Sequence, residues 1–369
     1  MNFQSVNRTT WSKVFPLIVL VTVLCNIAVF KLIHTYPSEA MLEKLRISLA
    51  EKILQDVYND EKFASVSIPA NDSNVRCETF MQGGLPPHAK RAPKHRSKTV
   101  TVKLKDGLNF RFSEVASVGA KFSIGAEFFS RSGGELMVSE LFIYILGTER
   151  PEGVVFDVGM NLGYYTQMSA ALGYQVHSFE LQPFCFQFAY NAAKENNFLD
   201  KITPHNAPLS DKKFTIKQRD TQCKSGTFDM SKHETLKGKE GFTYATMETV
   251  KLDTVISQCS IDKIALMKMD IDGAEVGALR GLVQALGRGL VQNVILEIGS
   301  LESVKIVGST SEEASEIYQK LFSMFQYIYT EPELIKWTKG ECPIKVTHWE
   351  AMLKGGNILL RYIEPLHCA

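Results

Sequence analysis

From residue 154 onward the chain alternates short apolar, β-branched runs with longer stretches in which apolar residues recur every three or four positions. A period near two predicts strands and a period near 3.6 predicts helices. On this basis strands are expected at 154–158, 174–180, 201–206, 264–270 and 291–298, with two more near 326–330 and 357–363. Helices are expected at 164–172, 184–197, 274–286 and 311–325. Such alternation implies an α/β, doubly wound, mostly parallel sheet with helices on both faces. Short runs at 214–217 and 250–253 read as extra strands flanking a polar insertion, 218–246, which is either a substrate lid or a disordered loop.

The N-terminal third follows different patterns. Residues 14–30 carry no charge, and adding Lys31, Leu32 and Ile33 gives a stretch of about the 20 residues that a membrane span requires. A cleaved signal peptide is the main rival, but its apolar core is commonly about 7–15 residues and no small-x-small site follows convincingly. Arg8 and Lys13 precede the stretch with no acid before them, which predicts a cytosolic tail (1–13), a signal anchor (14–33) and a lumenal remainder. Leu42, Leu45, Leu49, Ile53 and Val57 then recur at helical spacing, so 40–58 reads as an amphipathic helix. It either pairs with a second copy as a stem, giving a homodimer, or packs on its own catalytic domain. Residues 83–98 mix Pro, Gly and basic side chains, as a solvated linker does. The stem and linker thus cover 34–98, and a folded domain is expected over 99–369 with its core at 150–300.

Composition narrows the partners. With 41 basic and 40 acidic residues the net charge is +1, and no overall field favours nucleic acid. Apart from Cys25 in the apolar stretch, six cysteines remain: Cys77, Cys185, Cys223, Cys259, Cys342 and Cys368. Disulfides would suit an oxidising compartment; buried thiols are the plainer alternative. Asn71-Asp-Ser73 is a glycosylation sequon in the stem. No His/Cys cluster has zinc spacing, and no metal is expected. His177, His205 and His348 stand singly and read as core or surface residues.

The candidate chemistry begins where the strand 154–158 ends. Asp157, Gly159, Asn161, Gly163 and Thr166 form the pattern D-x-G-x-N-x-G-x-x-T. Two glycines permit a tight turn and close backbone approach to a ligand, and the helix that follows offers free amide groups at its start. Asn161 stands where a dinucleotide fold carries its middle glycine, which points away from NAD. About twenty residues on, the strand 174–180 ends on Glu180, placed to accept hydrogen bonds from a ribose diol. Lys268, Asp270, Asp272, Gly273 and Glu275 form a third block, and Glu297 closes a later strand.

These three blocks resemble the FkbM-type S-adenosylmethionine-dependent methyltransferases over roughly 154–297. The chain departs from that pattern at Met160, where a small residue is usual, and at Leu181, where a proline is common. The resemblance implies a class I, Rossmann-like methyltransferase with S-adenosyl-L-methionine as cofactor. It implies that Asp157, Gly159 and Asn161 hold the methionine moiety, with Gly163 and Thr166 completing the loop. Glu180 would take the ribose and the turn from Asn206 to Ser210 the adenine. Asp270 is the first choice to face the methyl group and accept the acceptor's proton, while Glu297 either shares that part or binds Lys268 or a backbone amide. Asp272 and Glu275 are either catalytic or a capping box at a helix start.

A lumenal enzyme of this kind would methylate a hydroxyl of a glycan or glycoconjugate in the Golgi or endoplasmic reticulum, as a single-pass type II membrane protein. A cytosol-facing enzyme acting on a lipid or small molecule is the near alternative, and an inactive tethered binding protein the distant one.

Overall fold

In the computed structural model, residues 96–103, 109–116, 123–124, 133–219, 244–362 and 364–367 are described. The apolar runs become a seven-stranded sheet. Its strands are β4 (Val154–Val158), β5 (Val176–Phe179), β6 (Ile202–His205), β9 (Ile264–Met269), β10 (Asn293–Ile298), β11 (Tyr327–Thr330) and β12 (Gly356–Arg361). They lie in the order β11-β12-β10-β9-β4-β5-β6. Five strands pair in parallel, while β12 runs antiparallel to both β10 and β11. This is the doubly wound, mostly parallel sheet that the alternating pattern predicts, with β12 as the antiparallel exception.

Strand burial explains why these runs read as continuous apolar segments. All six residues of β9 are buried, as a strand covered on both faces requires. The first covering layer includes α1 (Gly133–Phe142), which continues into a wider π-turn (Ile143–Glu149), with α2 (Tyr164–Ala171) and α3 (Pro183–Glu195). The second includes α4 (Leu252–Gln258), α5 (Glu275–Arg280), α6 (Val283–Gly287), α7 (Leu301–Ile306) and α8 (Ser311–Met324). Helix α8 opens with a complete capping box between Thr310 and Glu313. Helix α9 (Glu331–Trp337) and a 3₁₀ turn (Trp349–Lys354) connect β11 to β12.

A separate three-stranded sheet precedes this core: β1 (Arg96–Lys103), β2 (Asn109–Ala116) and β3 (Ser123–Ile124). Phe110 and Phe112 of β2 pack edge-on against Tyr164, each with ring centroids 5.5 Å apart. The hairpin thus covers the start of α2. Strand β1 begins three residues ahead of the expected domain start at Thr99, within the segment read as linker.

Two expectations are corrected. The run 250–253 is not a strand: Val250 makes an isolated bridge to Leu209, and α4 starts at Leu252, burying Leu252, Val255 and Ile256. The strand that pairs with β7 (Thr215–Arg219) is β8 (Tyr244–Glu248) instead. The expected helix 274–286 is two short helices, α5 and α6, separated at Gly281 and Leu282. Gly281 ends the first turn run, and Leu282 is buried in the core between them. The middle of the polar insertion, 220–243, lies outside the described residues. So do the apolar stretch 14–33 and the helix 40–58. Among the described residues no helix is long and apolar enough to cross a membrane.

Candidate active site

Strand order reverses at β4, with β5 on one side and β9 on the other, so the loops after these strands open onto a crevice. The first loop is built on three left-handed residues: Gly159 (φ 84°), Asn161 (φ 52°) and Gly163 (φ 82°). Gly159 N–H and Met160 N–H both donate to the Phe179 carbonyl, at 3.0 and 2.9 Å, folding the loop over the end of β5. Gly163 N–H closes the turn on Met160 O at 2.7 Å. The unusual Met160 side chain is buried against Phe186 and Ala189 of α3.

Glu180 lies beyond β5 and is fixed by backbone donors. Asn161 N–H reaches Oε2 at 3.0 Å and Gln182 N–H reaches Oε1 at 2.7 Å. The Gln182 side chain adds a third donor to this carboxylate. Burial pushes this carboxyl up to about 7, against those hydrogen bonds. Asn206, buried just past β6, donates through Nδ2 to the Glu180 carbonyl at 2.7 Å and so holds the acid in place.

On the other side of β4 a charged cluster is buried. Asp157 is 0% exposed and in register with Lys268 of β9. Thr166 Oγ1 donates to Asp157 Oδ2 at 2.5 Å. Burial holds Asp157 above the usual carboxylate range, opposed by Lys268 and Thr166. Lys268, with its side chain 5% exposed, bonds Asp270 Oδ2 at 2.8 Å and lies 5.2 Å from the Tyr165 ring centroid. Burial disfavours its charge, but Asp270 and Asp157 outweigh that and keep the ammonium protonated well into the alkaline range. For Asp270, burial is likewise outweighed, by Lys268 and by a hydrogen bond from Glu297, and its carboxyl stays below the usual range. The same bond, with burial, pushes Glu297 up to about 9, so Glu297 carries a proton at neutral pH and donates it to Asp270. The two carboxyls are register neighbours, since the β9–β10 ladder pairs Leu296 with Met269 one residue earlier.

Asp157, Asn161, Glu180, Asn206, Asp270 and Glu297 therefore gather at the carboxyl ends of β4, β5, β6, β9 and β10. The capping-box reading of the third block is corrected. Helix α5 is preceded by Ala274 with no side-chain cap, and Asp272 sits in a left-handed turn (φ 53°). Glu275 does reach back, accepting from Ile271 N–H at 2.9 Å and Gly273 N–H at 3.0 Å. Its role is to close the turn after β9. His177 and His205 form a buried pair at 3.1 Å, both held neutral by burial. Residues that the motif reading passed over are Tyr165 and Glu135. Tyr165 donates its hydroxyl to Glu135 Oε2 at 2.6 Å, beside Lys268. The lysine inside an apolar strand was the available signal for a buried counter-charge; Glu135 had none.

The residues present fit an S-adenosylmethionine site. Asp157 Oδ1 is buried with no hydrogen-bond partner among the described residues, as an acceptor awaiting a cationic ligand would be. Among the described residues no group of His, Cys, Asp and Glu is arranged to hold a metal ion.

Residues 157–329 match the family model described as the methyltransferase FkbM domain. The match takes in Asp157, Glu180, Asp270 and Glu297, the residues that this site brings together. Among solved structures it is similar to the METTL16 MTase domain, at 13% identity and a TM-score of 0.32, covering 53% of this chain and 60% of that one. It is also similar to an O-methyltransferase from Bacillus cereus in complex with SAH (12% identity, TM-score 0.34, 63% of this chain and 82% of that one). A third is the T. Thermophilus 16S rRNA N2 G1207 methyltransferase RsmC (12% identity, TM-score 0.33, 72% and 51%). The chain spans less than two thirds of the length of the first of these. No curated protein matches the sequence.

Proposed function

We propose that the chain is an O-methyltransferase acting on a hydroxyl of a glycan or glycoconjugate in the secretory pathway, as a type II protein anchored through 14–33. The observation that carries the hydroxyl acceptor is the cluster of Lys268, Asp270 and Glu297. Asp270 is 28% exposed at its side chain, so its carboxylate borders the crevice while the lysine behind it is buried. Held low by its partners, it remains ionised at the mildly acidic pH of secretory compartments. An ionised, fixed carboxylate can accept a hydrogen bond from the attacking hydroxyl and orient it, although the pairing that keeps it ionised also makes it a weaker base.

Bound here, S-adenosylmethionine would supply an electrophilic methyl group carried on a cationic sulfur. Glu180 would hold its ribose through the two carboxylate oxygens, and the loop from Gly159 to Gly163 would lie against its methionine part. Asp270 takes the hydroxyl proton and later returns it to solvent. Lys268 and the protonated Glu297 keep Asp270 in one position, and orientation of this kind is worth about 7–11 kcal/mol in well-placed reactions.

The secretory placement is supported by Cys185, Cys259 and Cys342, which are disulfide-bonded. Such bonds persist in oxidising compartments and are rare in the cytosol. The test combines topology with transfer. Protease added to sealed microsomes should spare the catalytic domain until detergent is added, and labelled S-adenosylmethionine should methylate members of a panel of released glycans. Digestion without detergent would move the enzyme to the cytosolic face, and labelling of lipid or small-molecule hydroxyls alone would replace the glycan.

A further inference from the structure

Among the described residues, several carboxylates surround a single buried ammonium, that of Lys268. Asp270, Asp157 and Glu135 all act electrostatically on the ammonium of Lys268. Asp157 additionally keeps Oδ1 buried and unpartnered among the described residues. Glu135 comes from the first turn of α1, outside every motif. Its Oε2 accepts the Tyr165 hydroxyl at 2.6 Å, and Tyr165 is the second residue of α2, directly after the glycine loop. The tyrosine ring is fixed in turn, stacked on Phe142 with centroids 4.6 Å apart. A carboxylate is thus held, in a chosen orientation, beside the loop and beside Lys268.

The strand order gives this position a meaning. Glu180 lies past β5 and Lys268 is on β9, on opposite sides of β4. A cofactor held by its ribose on Glu180 and lying across the tip of β4 would have its amino-acid end on the β9 side, near Asp157, Lys268 and Glu135. That end carries an ammonium and a carboxylate, and its sulfur is also cationic. An excess of fixed carboxylates over one lysine suits a ligand with two positive centres.

We propose that Glu135 is a cofactor ligand: its carboxylate, oriented by the Tyr165 hydroxyl, binds the α-ammonium of S-adenosylmethionine. The assignment rests on the cofactor reading above and adds a contact from outside the matched segment 157–329.

The experiment uses calorimetry on the full chain with two ligands. S-adenosylhomocysteine carries the ammonium; 5′-methylthioadenosine has the same adenine, ribose and sulfur but no amino-acid end. Glu135→Gln preserves an oxygen for the Tyr165 hydroxyl and removes the charge. It should weaken S-adenosylhomocysteine about tenfold or more, as loss of a charged hydrogen bond does, and leave methylthioadenosine within about twofold. An unchanged affinity for S-adenosylhomocysteine overturns the proposal, and so does an equal loss for both ligands, which would mean that Glu135 only fastens α1 to α2. If Glu135→Gln does not fold, Tyr165→Phe serves instead: it frees the carboxylate, and the loss should again be confined to S-adenosylhomocysteine. A wild-type chain that binds neither ligand would overturn the cofactor reading itself, a result distinct from either variant outcome.

Discussion

A Cβ placed on Gly159 would lie 1.8 Å from the carbonyl oxygen of Asp270. The first loop and the end of β9 therefore touch backbone to backbone, and the turn that faces the cofactor also sets where Asp270 stands. Asp270 N–H in turn donates to Val158 O at 3.0 Å, locking the two strand ends together. Gly159→Ala would have to relieve this overlap while also placing a side chain at φ 84°. We expect a loss on the order of 3 kcal/mol in stability, since backbone strain alone costs about 1–3 kcal/mol and the collision adds to it. Urea unfolding measures this; a variant as stable as wild type, with normal cofactor affinity, would show that the close approach is unimportant.

On the proposed assignment of Glu180 to the cofactor ribose, affinity should depend on pH. Burial holds its carboxyl at about 7, above the ordinary carboxylate range. Ribose hydroxyls donate to the ionised form, so binding favours loss of the proton. Affinity for S-adenosylhomocysteine should be level above pH 7.5 and fall toward about tenfold per unit below pH 6.5. Glu180→Gln should bind more weakly at every pH and lose that slope. Calorimetry between pH 5.5 and 8.5 decides it, and a wild-type profile flat across this range would refute the assignment.

What could be read from the sequence divides along physical lines. The loop after β4 and the acid Glu180 were legible because glycine at a left-handed turn and an acid closing an apolar strand are local signals. Asp270 and Glu297 were visible for the same reason, but not the proton that joins them, which depends on β9 and β10 lying side by side. The hairpin of β1 and β2 was missed although Val100 and Val102, and Phe110 and Phe112, alternate correctly; its basic flanks drew attention to a linker. Helix α4 was misread because Val250 and Leu252 alternate over too few residues to separate a strand from a helix start. Glu135 was illegible in principle, since its meaning comes from Tyr165, 30 residues later.

Arg361 fastens the last strand to the layer that carries Glu135. Its guanidinium grips both Glu149 oxygens, at 2.9 and 2.5 Å, and its Nε donates to Asn293 Oδ1 at 3.0 Å. The arginine side chain is 5% exposed and that of Glu149 17%. Glu149 ends the π-turn that continues α1, so the pair ties β12 to that helix. Arg361→Met leaves a buried carboxylate without its partner and should cost about 3–5 kcal/mol. The urea midpoint should fall with the slope unchanged, and adding Glu149→Gln should restore part of the loss. Were the double variant no more stable than the single one, the penalty would not come from the stranded charge.

The proton shared by Glu297 and Asp270 should leave a mark on stability. Glu297 is pushed up to about 9 by its bond to Asp270 and by burial, whereas in the unfolded chain it titrates as an ordinary glutamate near 4.3. Between these values the folded state holds a proton that the unfolded state has released. Stability from this group is therefore complete below the unfolded value and declines as pH rises through the folded one. Glu297→Gln keeps a donor toward Asp270 but has nothing to titrate. The advantage of wild type over this variant should accordingly shrink steadily from pH 5.5 to pH 9 in urea unfolding. A difference independent of pH would mean that Glu297 is ionised in the folded chain, and that Asp270 relies on Lys268 alone to hold its place at the end of β9.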